Sequence, residues 1–544
     1  MLFTAGLRRK AGSIVAATLV SFGLAVAVPA PAVATPPSAA ATTLAWTPCR
    51  DGFYCATLKV PLDYDHPHGP QISLAMVKLP AGDPAHRIGS LFLNPGGPGG
   101  SGVDFVRQAG RILLTPAVRA RFDLVGFDPR GIGRSTPLLC FDNEGQAGRA
   151  FLPFPYPNNA AETRRWFAND RYQQQHCADQ GGRIKNHMAT ADVARDLDSM
   201  RAAVGDQSLN YYGVSYGSFL GDTYANLFPG NVRSLVIDGV LDPIAWTTGR
   251  DHESRTLPFS TRLHSAAGAQ ATLQQFFRLC DAGGPSRCAF APNAGGRFMT
   301  LYHRLSRHPL LVPNPGGPSL HYDETFLIGD TLGAMYDSSS WADLAQYLAM
   351  LERAAAPAVL RSGLAALHHA AVFTQYPNYV EGFPGVACSD SVNPTSPRAW
   401  IAAARTAARQ DGLFGPIWTW ITSVCSQWPG HDADRYLGPF THRTANPVLV
   451  VGNLYDPATP YAGARTAARL LPNSRLLTVH GWGHTSLFLS ACADQAIGHY
   501  LLTSQPPAPG TVCQQDVVPF TGTAPSPVPD AARRTLDGWT HRWE

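Results

Sequence analysis

The sequence predicts an α/β protein with a mostly parallel central sheet flanked by helices and a large helical cap inserted between core strands. Three observations carry this. Short apolar runs bounded by Gly, Pro, Asn or Asp recur at Ser90–Leu93, Phe122–Phe127, Leu209–Tyr212, Val232–Ile237, Pro447–Val451 and Arg475–Val479. Such runs have the length and composition of strands buried on both faces of a parallel sheet. Between the second and third runs lies a helix pattern, with Val193, Leu197, Met200 and Val204 on one stripe and Gly205 as its stop, which makes a strand–helix–strand crossover. The rhythm then breaks from about Ala245 to about Asn446, a stretch rich in Trp, in Pro-Gly turns and in helix formers such as Leu364-Ala365-Ala366-Leu367.

The remaining segments follow in order. Arg8, Arg9 and Lys10 precede a largely apolar run from Ala11 to Val28, and Ala32-Val33-Ala34 offers small residues for cleavage; this reads as a signal peptide over residues 1–34. An Ala/Pro/Thr linker covers 35–45, the first part of the core 46–244, the cap 245–446, the second part of the core 447–515, and a Pro-rich tail 516–544. Roughly 510 residues after cleavage exceed a single typical core, which agrees with a core carrying a large insertion. After Val28 no stretch approaches the ~20 consecutive apolar residues of a membrane helix, so no stable membrane insertion is expected.

The chain carries 43 basic and 39 acidic residues, a formal charge of +4. Residues 1–34 contribute three of the basic residues and none of the acidic ones. Nothing in this near-neutral balance suggests a nucleic-acid partner. The 10 cysteines, even in number in an exported chain, read as disulfides. Cys49 with Cys55 and Cys280 with Cys288 close short loops, and pairing neighbours in order adds Cys140–Cys177, Cys388–Cys425 and Cys492–Cys513. Zinc is the competing reading, but there is no C-x-x-C knuckle and no H-E-x-x-H; no metal or cofactor is expected.

The chemistry centres on Gly213-Val214-Ser215-Tyr216-Gly217, a G-x-S-x-G motif after a strand-like run and before a helix pattern reaching about Phe228. In that context the motif marks the nucleophile turn of an α/β-hydrolase fold. The glycines permit a turn too tight for side chains, and the serine hydroxyl is exposed at a helix N-terminus, where the N–H of Tyr216 can stabilise an oxyanion. A serine hydroxyl needs a histidine to take its proton and a carboxylate to hold that histidine. In this fold the order is Ser, acid, His. Asp456 follows the Val448–Val451 run, and His484 lies in a glycine-rich loop after the next strand. Asp238 is the rival acid and His480 the rival base; each also reads as an ordinary strand-end residue. The second oxyanion donor is expected from the loop Asn94-Pro95-Gly96-Gly97-Pro98-Gly99-Gly100-Ser101-Gly102, with Gly97 as the donor; no Lys-Ser/Thr pair follows to make it a phosphate loop.

With these motifs in view, the chain resembles the actinobacterial secreted tripeptidyl aminopeptidases, relatives of the prolyl iminopeptidases. Besides the Asn94–Gly102 loop and the Ser215 turn, the resemblance is carried by Cys55-Ala56-Thr57-Leu58-Lys59-Val60-Pro61-Leu62-Asp63-Tyr64, by Gly126-Phe127-Asp128-Pro129-Arg130-Gly131-Ile132-Gly133-Arg134-Ser135 and by Asp456-Pro457-Ala458-Thr459-Pro460. It spans about residues 46 to 515. The resemblance implies an exopeptidase acting at free peptide or protein N-termini. Pro95 stands where prolyl iminopeptidases carry a histidine, which favours the tripeptidyl branch. Such enzymes hold the substrate ammonium with cap acids; of Glu381 and Asp390, Asp390 is preferred because Cys388 lies beside it. A carboxylesterase or lipase of the same fold is the first rival reading, and a hydrolase-like binding protein without catalysis is the second.

Overall fold

The computed structural model describes residues 44–312, 319–353 and 378–522. The signal peptide, the linker up to residue 43, the Leu364–Leu367 run and the tail from 523 onward lie outside the described residues.

Twelve strands are named in chain order: β1 (Thr47–Cys49), β2 (Phe53–Pro61), β3 (Gln71–Leu79), β4 (Gly89–Asn94), β5 (Phe122–Phe127), β6 (Leu209–Val214), β7 (Val232–Asp238), β8 (Leu310–Val312), β9 (Leu320–Tyr322), β10 (Val448–Tyr455), β11 (Ser474–Trp482) and β12 (Val512–Gln514). Among the described residues, ten of them form one sheet in the order β1-β2-β3-β5-β4-β6-β7-β10-β11-β12, and β8 and β9 form a separate hairpin. From β5 to β12 every pairing is parallel; β1, β2 and β3 extend the sheet antiparallel. All six predicted runs are strands of the parallel part. They read as continuous apolar segments because both faces are covered: Val448 and Val450 pack into one core, Leu449 and Val451 into the other, as the two-residue strand period requires.

The antiparallel edge was not expected. Its β2 alternates buried Leu58 and Val60 with exposed Thr57 and Lys59, a half-solvated pattern that a search for apolar runs passes over. The predicted crossover helix spans Thr190–Ala203, with Val193, Leu197 and Met200 buried. The cap enters between β7 and β10. Its helices, including Ser265–Gly283, Ala294–Arg307, Trp341–Arg353 and Pro397–Gln410, close around their own core of Phe276, Phe298, Trp341, Leu348 and Trp400. A second excursion leaves the sheet between β5 and the crossover helix. Its helix Ala160–Gln180 buries only Asp170 and Cys177, so no apolar stripe announces it in the sequence. It is fastened to the cap by Trp166 Nε1, which donates to Ser423 Oγ at 2.7 Å, and by Gln174 Nε2, which donates to Val424 O at 2.9 Å.

All five cysteine pairs form as neighbours in order: Cys49–Cys55, Cys140–Cys177, Cys280–Cys288, Cys388–Cys425 and Cys492–Cys513. Among the described residues no helix is long and apolar enough to cross a membrane.

The Gly126–Ser135 motif ties these layers together. Arg130 is fully buried. Its Nε and Nη2 meet Asp196 at 2.7 and 2.6 Å, and Nη1 meets Asp192 at 3.1 Å and the Leu62 carbonyl at 2.9 Å. Removing the guanidinium leaves buried Asp196 without its cation and Asp192 with Arg195 alone, whose Nη1 donates to it at 2.7 Å. Arg130→Ala is therefore expected to lower the unfolding free energy by about 3–5 kcal/mol, measured by denaturant titration; a loss under about 1 kcal/mol would show that the cluster contributes little.

Candidate active site

β6 runs directly into Ser215, and the helix Tyr216–Leu227 starts one residue later. Ser215 sits at φ 56°, ψ −126°, a left-handed conformation that a non-glycine residue adopts only where its surroundings impose it. One restraint is the hydrogen bond from Ser215 N to Asp238 O at 2.8 Å. Another is the crowding at Gly217, where a Cβ would lie 2.8 Å from Asn94 O. The turn thus presents the serine at the helix N-terminus, where the N–H of Tyr216 has no intrahelical acceptor.

Asp456 lies just beyond β10 and is 1% exposed. Its Oδ1 accepts from Ala458 N at 2.9 Å and Thr459 N at 2.8 Å; its Oδ2 accepts from Thr459 Oγ1 at 3.0 Å and Thr485 N at 3.1 Å. These donors hold the carboxylate against Nδ1 of His484, 3.0 Å from each oxygen. The imidazole is fixed on other sides as well. Its backbone N–H donates to Tyr336 O at 2.8 Å, and the Tyr336 ring packs edge-on at 5.2 Å. Thr459 was not singled out from the sequence, although the Asp-Pro-Ala-Thr run contains it; a hydroxyl three residues after an aspartate is a familiar turn partner.

The rivals fall elsewhere. Asp238 is fully buried, and its carboxylate accepts from Ser486 N, Ser486 Oγ and Tyr212 Oη, with no bond to His484. Burial pushes its carboxyl up to about 6. His480 lies on β11 among Tyr455 and Trp482, at 6.1 and 6.0 Å between ring centres.

The glycine loop after β4 lies against the serine turn. A Cβ on Gly96 would fall 2.5 Å from Val214 O and 2.8 Å from Ser215 Cβ, so only glycine allows this approach. The N–H of Gly96 is engaged by Asn94 Oδ1 at 2.9 Å. Gly97, the expected donor, lines the cavity together with Ser215 and Tyr216. Asp128, at the end of β5, holds the loop from behind, accepting from Ser101 Oγ at 2.5 Å and from Val103 N at 3.2 Å.

Ser215 and His484 open into a cavity of about 620 Å³ lined by the cap, through Trp418 and Trp420, and by the excursion after β5, through Phe154 and Trp166. Asp390, the expected ammonium ligand, is not among the cavity-lining residues. It is 2% exposed, and its carboxylate accepts from Thr190 N and Thr190 Oγ1, each at 2.7 Å, and from Trp246 Nε1 at 3.2 Å. It stands behind the wall, where Thr190 Oγ1 also meets Tyr216 Oη at 2.5 Å; the disulfide beside it holds a structural contact. Glu381 is likewise buried, accepting from Cys140 N at 3.1 Å. The cavity instead reaches Asp170, on the unexpected helix. Among the described residues only Ser423 donates to the Asp170 carboxylate, at 2.7 Å, and no cation pairs with it. Burial pushes its carboxyl up to about 7.

A parallel sheet with a strained serine between strand and helix, and an aspartate–histidine pair at the ends of later strands, defines an α/β hydrolase. A family model described as alpha/beta hydrolase fold matches residues 89–277, and one described as TAP-like protein matches 411–513. A tripeptidyl aminopeptidase of Streptomyces lividans is 30% identical over 473 residues, covering 86% of this chain and 84% of that protein. Serine protease Hip1 of Mycobacterium tuberculosis is 31% identical over 509 residues, with 86% and 90% covered. Carboxylesterase B of the same species is 32% identical over 489 residues, with 86% and 89% covered. The chain belongs to the tripeptidyl aminopeptidase-like family of α/β hydrolases, and it is an enzyme, a serine hydrolase.

Proposed function

We propose that this enzyme is an exported exopeptidase that cleaves peptide bonds near a free N-terminus, with Ser215, His484 and Asp456 as its triad. Ser215 Oγ attacks the scissile carbonyl while His484 takes the hydroxyl proton. The N–H groups of Gly97 and Tyr216 stabilise the resulting oxyanion. His484 then gives the proton to the leaving amine as the C–N bond breaks, and water, deprotonated by the same histidine, hydrolyses the acyl-enzyme. The five disulfides and the absence of a free cysteine support export, since such pairing persists in oxidising compartments.

The observation that carries the exopeptidase reading is Asp170, an incompletely satisfied carboxylate on the wall of an aromatic-lined cavity. A buried anion of this kind is stabilised by an incoming cation, and a peptide's terminal ammonium supplies one. In this reading Asp170 takes the role that the sequence had assigned to Asp390. The test compares a chromogenic tripeptide amide with its N-acetylated form. The free form is expected to be favoured by about 30-fold or more in kcat/KM, with the difference largely lost in Asp170→Asn through KM. The sign with pH follows: the Asp170 carboxyl ionises as pH rises through about 7, so KM for the free peptide falls there. The fall ends as the peptide ammonium, of pKa about 7.7–8.0, loses its proton.

A carboxylesterase is the second reading, favoured by the aromatic lining and by the likeness to carboxylesterase B. Equal rates on free and acetylated peptides, with faster turnover of simple acyl esters, would select it.

A further inference from the structure

Asp238 has no part in the steps above, yet it touches both halves of the catalytic apparatus. We infer that Asp238 is a positioning residue, tying the nucleophile turn to the loop that carries His484. Its main-chain oxygen accepts from Ser215 N at 2.8 Å. Its carboxylate accepts from Ser486 N at 3.0 and 3.1 Å and from Ser486 Oγ at 2.6 Å. The next residue lies close beside the imidazole, since a Cβ on Gly239 would fall 3.3 Å from His484 Cε1.

The histidine loop needs such a hold. Thr485, between His484 and Ser486, has φ 68°, a conformation unfavourable for a β-branched residue and kept only where neighbouring bonds impose it. Asp456 fixes one side of this residue, through His484 Nδ1 and Thr485 N. Asp238 fixes the other side, through Ser486. The two carboxylates therefore act as a pair of clamps: one orients the imidazole directly, and the other sets the path of the backbone that bears it. The remaining donor to Asp238, Tyr212 Oη at 3.0 Å, comes from β6 and also lies within hydrogen-bonding reach of the Ser486 side chain.

The inference rests on the proposed roles of Ser215 and His484, and the test separates the two. In full-length enzyme with the chromogenic peptide, Asp238→Asn is expected to lower kcat by about 10²-fold, the scale of a displaced catalytic group. Ser486→Ala is expected to lower it about tenfold, as one hydrogen bond is lost. KM should stay within about threefold in both, because the substrate touches neither residue. A purely structural Asp238 would instead give variants with reduced Tm and intact kcat in the folded fraction; that result, or a loss appearing in KM, overturns the proposal. If Asp238→Asn does not fold, an unchanged kcat in Ser486→Ala overturns it alone. Should Ser215→Ala remain active, the proposed function fails first; should it be inactive while Asp238→Asn and Ser486→Ala keep wild-type kcat, only the positioning role fails.

Discussion

Ser215→Ala is expected to reduce kcat on chromogenic peptide amides by about 10⁴- to 10⁶-fold while leaving Tm within a few degrees of wild type. The size of the loss follows from the covalent step. Without the hydroxyl no acyl-enzyme forms, and the oxyanion donors and the cavity retain only their binding and electrostatic contributions. The small stability effect follows from the location: the Ser215 backbone is held by Asp238 O, and the helix Tyr216–Leu227 keeps its packing when one oxygen is removed. Alanine at φ 56° bears the same strain as serine. Single-turnover assays with a fluorophosphonate probe would check it independently, since the variant should take no label. Turnover at more than about one-hundredth of the wild-type rate would remove Ser215 from the mechanism.

Asp456→Asn should cost about 10³- to 10⁴-fold in kcat. The carboxylate accepts from four protein donors besides the imidazole; an asparagine NH2 cannot accept, so two of the four lose their acceptor and Tm falls together with kcat. An amide nitrogen facing His484 Nδ1 reverses the hydrogen bond and selects the tautomer whose Nε2 carries the proton, which is unable to accept one from Ser215. The deficit should therefore lie in kcat, with KM nearly unchanged. It should exceed the deficit of Asp238→Asn by at least tenfold, because Asp238 acts through the backbone and not on the ring. Equal losses in the two variants would show that the histidine draws on both acids alike.

The local parts of this enzyme were legible in its sequence. The six core strands stand out because both faces of a parallel sheet are covered, so burial is written into consecutive residues. The serine turn was readable because its glycines serve a geometry confined to five residues. Asp456 and His484 are legible as candidate acid and base from chain order, since the fold delivers the ends of its later strands to one edge of the sheet. The helix Ala160–Gln180 was missed because it faces the cap with polar and aromatic groups and has no apolar stripe. Asp390 was preferred for its nearness to a cysteine, a criterion that cannot tell which side of a wall a side chain occupies.

By itself, then, the sequence determined the fold class, the two short-loop cysteine pairs, and the candidate nucleophile, acid and base, because each depends on residue type at short spacing or on the fixed order of strands. Only the tertiary structure decided that Asp170 lines the cavity while Asp390 stands behind it, and that Asp238 grips the loop of His484. Those outcomes depend on burial and on contacts between segments up to 253 residues apart, as for Asp170 and Ser423. An aspartate buried against hydroxyls and one facing a cavity are the same letter in the chain; their difference arises only when the cap closes over the sheet and removes water from one side of each.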